Sequence, residues 1–208
     1  MNILIGFKKF TTCRVTHSAT LMASLGVMTL LSGCGIRSIP LSRNQVDAAQ
    51  AEVVNQYKRR ADLVPNLVNV VKGYADHEQE TLTKVVEARA KATSIQVTID
   101  DAESMKKYQE AQQGLSQALG KLLAVSENYP NLKANENFRD LQAQLEGTEN
   151  RITVARSRTI ESIQTFNNLI TVFPTNLTNM VIFHHKPLSQ YGEGLDVKQL
   201  EQAPDVKF

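Results

Sequence analysis

Few residues in this 208-residue chain pair a reactive side chain with neighbours that could use it. His77-Glu78 has the start of a zinc-protease helix, but position 81 is Thr, where the second metal-binding His is needed. A lone His beside Glu on a helix is read as a structural hydrogen-bonding residue. His184-His185 are adjacent, so their rings diverge, and no carboxylate or further His is clustered beside them in sequence; no metal site is expected. From Gly35 onward there is no cysteine, which excludes thiol catalysis and thiolate metal ligation in the body. With no nucleophile–base pair and no phosphate-binding loop, the expectation is a protein without enzymatic activity or cofactor. Two polar clusters remain. Lys58-Arg59-Arg60 are three consecutive bases covering different faces of a helix, so one can pair inward, with a residue such as Glu146 or Glu149, while two face water. Asn135-Glu136-Asn137 closes an Asn-rich run from residue 131 whose amides suit capping of loop backbone. The functional alternative for Lys58, Arg59, Arg60, Asn135, Glu136 and Asn137 is a docking surface, for an anionic lipid or a protein at the triplet.

One residue has a definite expected chemical fate. Residues 1–17 carry Lys8, Lys9 and Arg14, residues 19–31 are apolar or small throughout, and Leu31-Ser32-Gly33-Cys34 follows. The apolar stretch has the length of a signal-peptide core and falls short of the ~20 residues of a spanning helix. The tetrapeptide resembles the lipobox of bacterial lipoproteins, in which the cysteine thiol receives a diacylglyceryl group. The preceding peptide is then removed and the new amino terminus acylated with a chain such as palmitate. Ser32 and Gly33 let the chain lie extended in a peptidase cleft. The competing reading is an uncleaved N-terminal anchor in the inner membrane. Gly35, rather than Asp, follows the cysteine, which favours an outer membrane where the source has one. Cys13 lies in the part to be discarded.

Positioning these residues falls to helices. Gly and Pro are few and Trp is absent, a composition that argues against a turn-rich sandwich or barrel. The total of 23 Lys and Arg against 21 Asp and Glu gives no sign of nucleic-acid binding, and without the first 34 residues acids exceed bases by one. Residues 36–42, with Pro40, are read as a tether lacking periodicity. From Arg43, Val46, Ala49, Val53 and Tyr57 recur at helical spacing to about Arg60, with Ser42 as N-cap. Pro65 interrupts the pattern at a cost of ~3 kcal/mol in a helix interior. Either one long helix kinks there, or the chain breaks near residues 61–64 and a second helix begins at about Leu63; the break or sharp kink is favoured. The second helix places Leu67, Val70, Val71, Tyr74, Leu82, Val85, Val86, Ala88 and Ala92 on one face, with Gly73 marking a close helix–helix approach. Asp100 and Asp101 start a third helix striped by Met105, Tyr108, Leu115, Leu119, Leu122 and Val125, ended by Asn128-Tyr129-Pro130. A fourth, from about Ala134 to Phe173, would be ~60 Å long. Its seam is Phe138, Leu141, Leu145, Ile152, Ala155, Phe166, Leu169 and Phe173, with Thr148, Thr159 and Ser162 completing it. The tail begins with a short helix and continues as an extended segment.

Residues 58–78 resemble the signature run of the LemA family, approximately Lys-Arg-Arg-x-Asp-Leu-Ile/Val-Pro-Asn-Leu-Val followed by Val-Lys-Gly-Tyr-Ala-x-His-Glu. The blocks at 129–138, with Leu141, and 145–152, the Phe173-Pro174-Thr175-Asn176-Leu177 run and the terminal Ala203-Pro204-x-Val206-Lys207-Phe208 are similar to that family as well. The resemblance covers residues 46–208. It implies an antiparallel, mainly four-helix bundle attached to a bacterial membrane and held outside the cytoplasm, with no established enzymatic activity or cofactor. Two features depart from the pattern: relatives keep an N-terminal transmembrane helix where this chain has a lipobox, and they are more acidic and helical after Phe183.

The expected organisation is therefore a lipoprotein signal peptide at 1–33, a tether at 34–42, an all-α bundle at 43–183 and an irregular tail at 184–208. The expected role is a membrane-anchored, non-enzymatic scaffold or interaction module of the cell envelope. Its partners are membrane lipid through Cys34 and an envelope protein. The alternative is an accessory or regulatory partner of a membrane protease or envelope-stress system.

Overall fold

The computed structural model describes residues 35–190, and Cys34, the segment before it that was read as an export signal, and the terminal Ala203–Phe208 motif lie outside them. Among the described residues there is no strand. The chain forms α1 (Ser38–Lys72), α2 (Gln79–Ser94), α3 (Ala102–Ser126), the short α4 (Pro130–Ala134), α5 (Glu136–Thr171), the single turn α6 (Thr175–Thr178) and a π-helical turn at Asn179–Phe183. Two compact units are present. The larger comprises residues 44–165 with 188–190, and the smaller residues 35–43 with 166–187.

In the larger unit the four long helices run up, down, up and down. Arg60 of α1 meets Glu149 of α5, and Tyr74, just past α1, meets Asn135, just before α5; the two helices are antiparallel. Gln112 of α3 reaches Ala92 at the end of α2, and Tyr129, past α3, reaches Glu78, before α2. The core follows the expected stripes. Val64, Leu67 and Val71 of α1, Leu82 and Val85 of α2, Leu115, Leu119 and Leu122 of α3, and Phe138 and Leu145 of α5 form one buried cluster, closed below by Leu132 of α4. Val53, Tyr57, Met105, Tyr108, Ile152 and Ala155 form a second. Thr148 and Thr159 complete the α5 seam as expected. Both are fully buried because each hydroxyl donates to the carbonyl one turn back, Gln144 at 2.7 Å and Ala155 at 2.9 Å.

Four expectations are corrected. The segment read as a tether is helical from Ser38, and Ser42 lies inside α1 instead of capping it. Ile39, Ser42, Val46, Gln50, Val53 and Tyr57 are all buried at helical spacing; the stripe was hidden because two of its members are polar. Pro40 sits in the first turn, where its missing N–H has no intrahelical partner to lose.

Secondly, α1 does not break at Pro65 but runs through it to Lys72. A proline leaves the carbonyl four residues back without its donor, here that of Ala61. The Arg89 Nε of α2 donates to that oxygen at 2.8 Å, so a neighbouring helix supplies the missing bond.

Thirdly, the true break comes at residues 73–78, where a second helix was expected to continue. Gly73 and Tyr74 turn the chain with bonds to the carbonyls of Val70 and Val71. Gly73 serves this turn and no close helix approach: a Cβ there would meet nothing nearer than the Val70 carbonyl at 3.5 Å. The break resets the helical phase, which is why Tyr74 and Val86, assigned to the buried face, are exposed. Fourthly, α5 ends at Thr171, and Phe173, assigned to its seam, is exposed.

The third helix begins and ends as expected. Asp101 is its N-cap, its side chain accepting from the Glu103 N–H at 3.0 Å.

Candidate functional site

The charged triplet on α1 is divided by helix geometry. Consecutive residues lie 100° apart, so one of three faces the core; that one is Arg60, 2% exposed, while Lys58 and Arg59 are exposed. Its guanidinium joins three helices. Nη1 donates to Glu149 Oε2 at 2.8 Å and to Ser116 Oγ at 2.5 Å, and Nη2 donates to Gln112 Oε1 at 2.8 Å and the Gln112 carbonyl at 3.0 Å. Its carbon lies 5.1 Å from the centre of the Tyr57 ring, a cation–π contact on the apolar side. Tyr57 in turn meets Tyr108 edge to face at 5.6 Å. Gln112 passes the tie onward, its Nε2 donating to the Ala92 carbonyl at 3.2 Å. A cleft of about 220 Å³ opens beside this cluster, lined by Tyr57, Arg60, Gln109, Gln112, Gln113, Ser116, Glu149 and Arg156.

The chemistry available here is that of a structural clamp. Glu149 is half exposed, so the pair keeps one hydrated partner and avoids the full cost of taking two charges out of water. Burial pushes the Tyr57 and Tyr108 hydroxyls up from their ordinary values, Tyr108 to about 12, so both stay neutral at physiological pH. The bonds of Arg60 to Gln112 and Ser116 hold its guanidinium in one orientation.

The second polar cluster lies at another place on the unit. Asn135 caps α5, its Oδ1 accepting from the Phe138 N–H at 3.0 Å while its Nδ2 donates to the Tyr74 hydroxyl at 2.9 Å. Glu136 and Asn137 are exposed. Along α5, Asn135 and the Arg60-bound Glu149 are separated by roughly 20 Å at 1.5 Å per residue. The six residues considered for docking are therefore not one surface, and Arg60 leaves the set because it is buried. Lys58 and Arg59 remain at mid-helix, and Glu136 and Asn137 on the rim. His77 is exposed beside that rim, and it is Glu78 that makes the structural tie, accepting from the Tyr129 hydroxyl at 3.1 Å. That bond raises the Tyr129 hydroxyl above its ordinary value.

In the smaller unit, His185 is an aromatic packing residue, stacked on Phe183 at 5.8 Å and edge to face with Phe166 at 5.6 Å. His184 adopts a left-handed φ of 56°, a conformation in which His is among the better tolerated side chains. Asn179 clamps the turn, accepting from the His185 N–H at 2.9 Å and donating to its carbonyl at 3.0 Å. Gln112 and Arg89 were the partners that sequence reasoning missed. Gln112 was the more visible, a polar residue one turn from Tyr108 on an otherwise apolar stripe.

The LemA family model matches residues 49–208, covering the Arg60 clamp, the Pro65 helix and the Asn135 cap together. The chain belongs to the LemA family. It is similar to the protein LemA of Metamycoplasma hominis, at 28% identity over 149 residues, 68% of this chain and 65% of that protein. It is also similar to the magnetosome protein MamQ of Magnetospirillum gryphiswaldense, at 28% identity over 109 residues, 49% of this chain and 40% of that protein. The matched region thus spans less than two thirds of either relative's length. Most of the chain's helical body lies within the family match. Its Arg60 sits in the part matched by the family, where it holds α1, α3 and α5 in register.

Proposed function

We propose that this LemA-family chain is a lipid-anchored, non-enzymatic bundle of the bacterial cell envelope that serves as a scaffold for an envelope protein. The observation that carries the reading is the order of residues 1–35: a basic segment, an apolar stretch at 19–31, then Leu-Ser-Gly-Cys ending at Cys34. Among the described residues no helix is long and apolar enough to cross a membrane, so the attachment is assigned to the leader and Cys34. The Arg60 clamp supports the non-enzymatic part, because its groups are engaged in joining helices. For the partner, the exposed Lys58–Arg59 pair and the Glu136–Asn137 rim are the surfaces offered, now as two separate contacts.

Replacing Cys34 with Ser, with and without globomycin, tests the anchor. Accumulation of an unprocessed form that keeps residues 1–33 is expected from either treatment. Unchanged mobility would overturn the assignment. Crosslinking in intact envelopes, with Lys58/Arg59 and Glu136/Asn137 substituted in turn, tests the scaffold. Loss of a crosslinked band from one set identifies the docking contact, and full recovery from both removes these surfaces.

A further inference from the structure

The smaller unit carries a surface that neither the core nor the anchor accounts for. Within eleven consecutive residues Val172, Phe173, Leu177, Met180, Val181 and Ile182 are all exposed, Phe173 and Val181 at 69%. Contiguous exposed apolar side chains on this scale mark an interaction or membrane site. Three observations select the occupant. Gly35 is buried against Thr178 so closely that a Cβ there would lie 2.7 Å from the Thr178 side chain, so the chain enters beside this run. Cys34 immediately precedes Gly35 in the sequence. An acyl chain carried on Cys34 would therefore bring the bilayer surface close to Thr178. Finally, the described residues of this unit include Arg37, Arg43 and Lys186 and neither Asp nor Glu, in a chain where acids are otherwise as numerous as bases. A unit whose described charged side chains are all cationic repels a second copy of itself and suits an anionic lipid surface.

We infer that the Val172–Ile182 run is a membrane-contact face that lies in the headgroup layer of an anionic bilayer and orients the smaller unit on it. The inference rests on the anchor proposed for residue 34. Short turns suit this placement: α6 and the π turn present side chains at the surface without spanning it, and Arg37 and Lys186 supply the contact to lipid phosphates.

The chain contains no tryptophan, so single reporters can be introduced into the full-length protein. Val181→Trp reports on the face, and Val86→Trp, on the outer side of α2, is the control. Both are added to vesicles containing phosphatidylglycerol and lipids brominated along the acyl chain, and floated, with and without Cys34→Ser. Roughly twofold or greater quenching of the Val181→Trp emission is expected with none for Val86→Trp, as for groups buried 5–10 Å into the interface. Flotation that depends on Cys34 without quenching at Val181→Trp would overturn the face and leave the anchor standing. Quenching together with flotation that ignores Cys34→Ser would remove the anchor and leave the face. A Val181→Trp reporter already shielded from acrylamide before vesicles are added, and unchanged by them, would mean that another copy or the chain's own leader covers the run. Failure to bind anionic vesicles at all would also overturn it.

Discussion

Arg60 shows how one side chain can be both conspicuous in sequence and misleading about chemistry. A base among bases looks like part of a charged patch, yet the 100° step of the helix sends it alone into the core, where it satisfies two groups of Gln112 and one of Ser116. Truncation leaves those acceptors unpaired and an indentation beside Tyr57. Arg60→Ala is therefore expected to lower stability by about 2–4 kcal/mol, whereas Arg59→Ala should change it by less than about 0.5 kcal/mol. Urea unfolding of the two variants checks the contrast, and equal effects would deny the clamp. The neighbouring tyrosines give a pH signature. The Tyr108 hydroxyl is raised to about 12 by burial, above its unfolded value near 10. The folded state therefore keeps its proton longer than the unfolded one. Stability is full below pH 10 and falls as pH rises from there toward 12. Tyr108→Phe should flatten the alkaline loss measured by thermal melts between pH 9 and 11.

Helices were legible where their stripes were mainly apolar, with threonine able to complete them, and where their ends were signalled by local chemistry. The α3 cap at Asp101, its stop before Pro130 and the α5 seam through Thr148 and Thr159 all belong to that class. Legibility failed where a tertiary contact decided. Pro65 carries a local penalty that reads as a break, and the compensation comes from Arg89, 24 positions later and on another helix. Nothing local distinguishes that arginine from a solvated one. A double-mutant cycle makes the point measurable. Arg89→Ala should cost about 1–1.5 kcal/mol in the parent chain and less than half of that beside Pro65→Ala, where residue 65 can donate to the Ala61 carbonyl itself. Additive effects would refute the compensation. Gly120, exposed within α3 with nothing within 4 Å of a Cβ, offers the opposite case. Gly120→Ala should stabilise by roughly 0.5–1 kcal/mol through helix propensity alone.

At the scale of the whole molecule, family membership and the all-α architecture follow from extended patterns of many residues, and both were readable from the run at 58–78. The candidate docking set was less so: that one base of the triplet could pair inward with a residue such as Glu149 was legible, but sequence distance gave no sign that Arg60 and Asn135 lie on different parts of the unit. The exposure of the apolar side chains at 172–182 was not legible. Exposure depends on where α5 stops and the π turn begins. These features converge on residue 34, the proposed point at which a helical body with a structural interior is fastened to lipid. Intact mass and N-terminal sequencing of the protein purified from membranes test this most directly. The account predicts a chain that begins at Cys34 and carries the mass of a diacylglyceryl group and an amide-linked acyl chain. An unmodified Cys34 within a chain retaining residues 1–33 would contradict it.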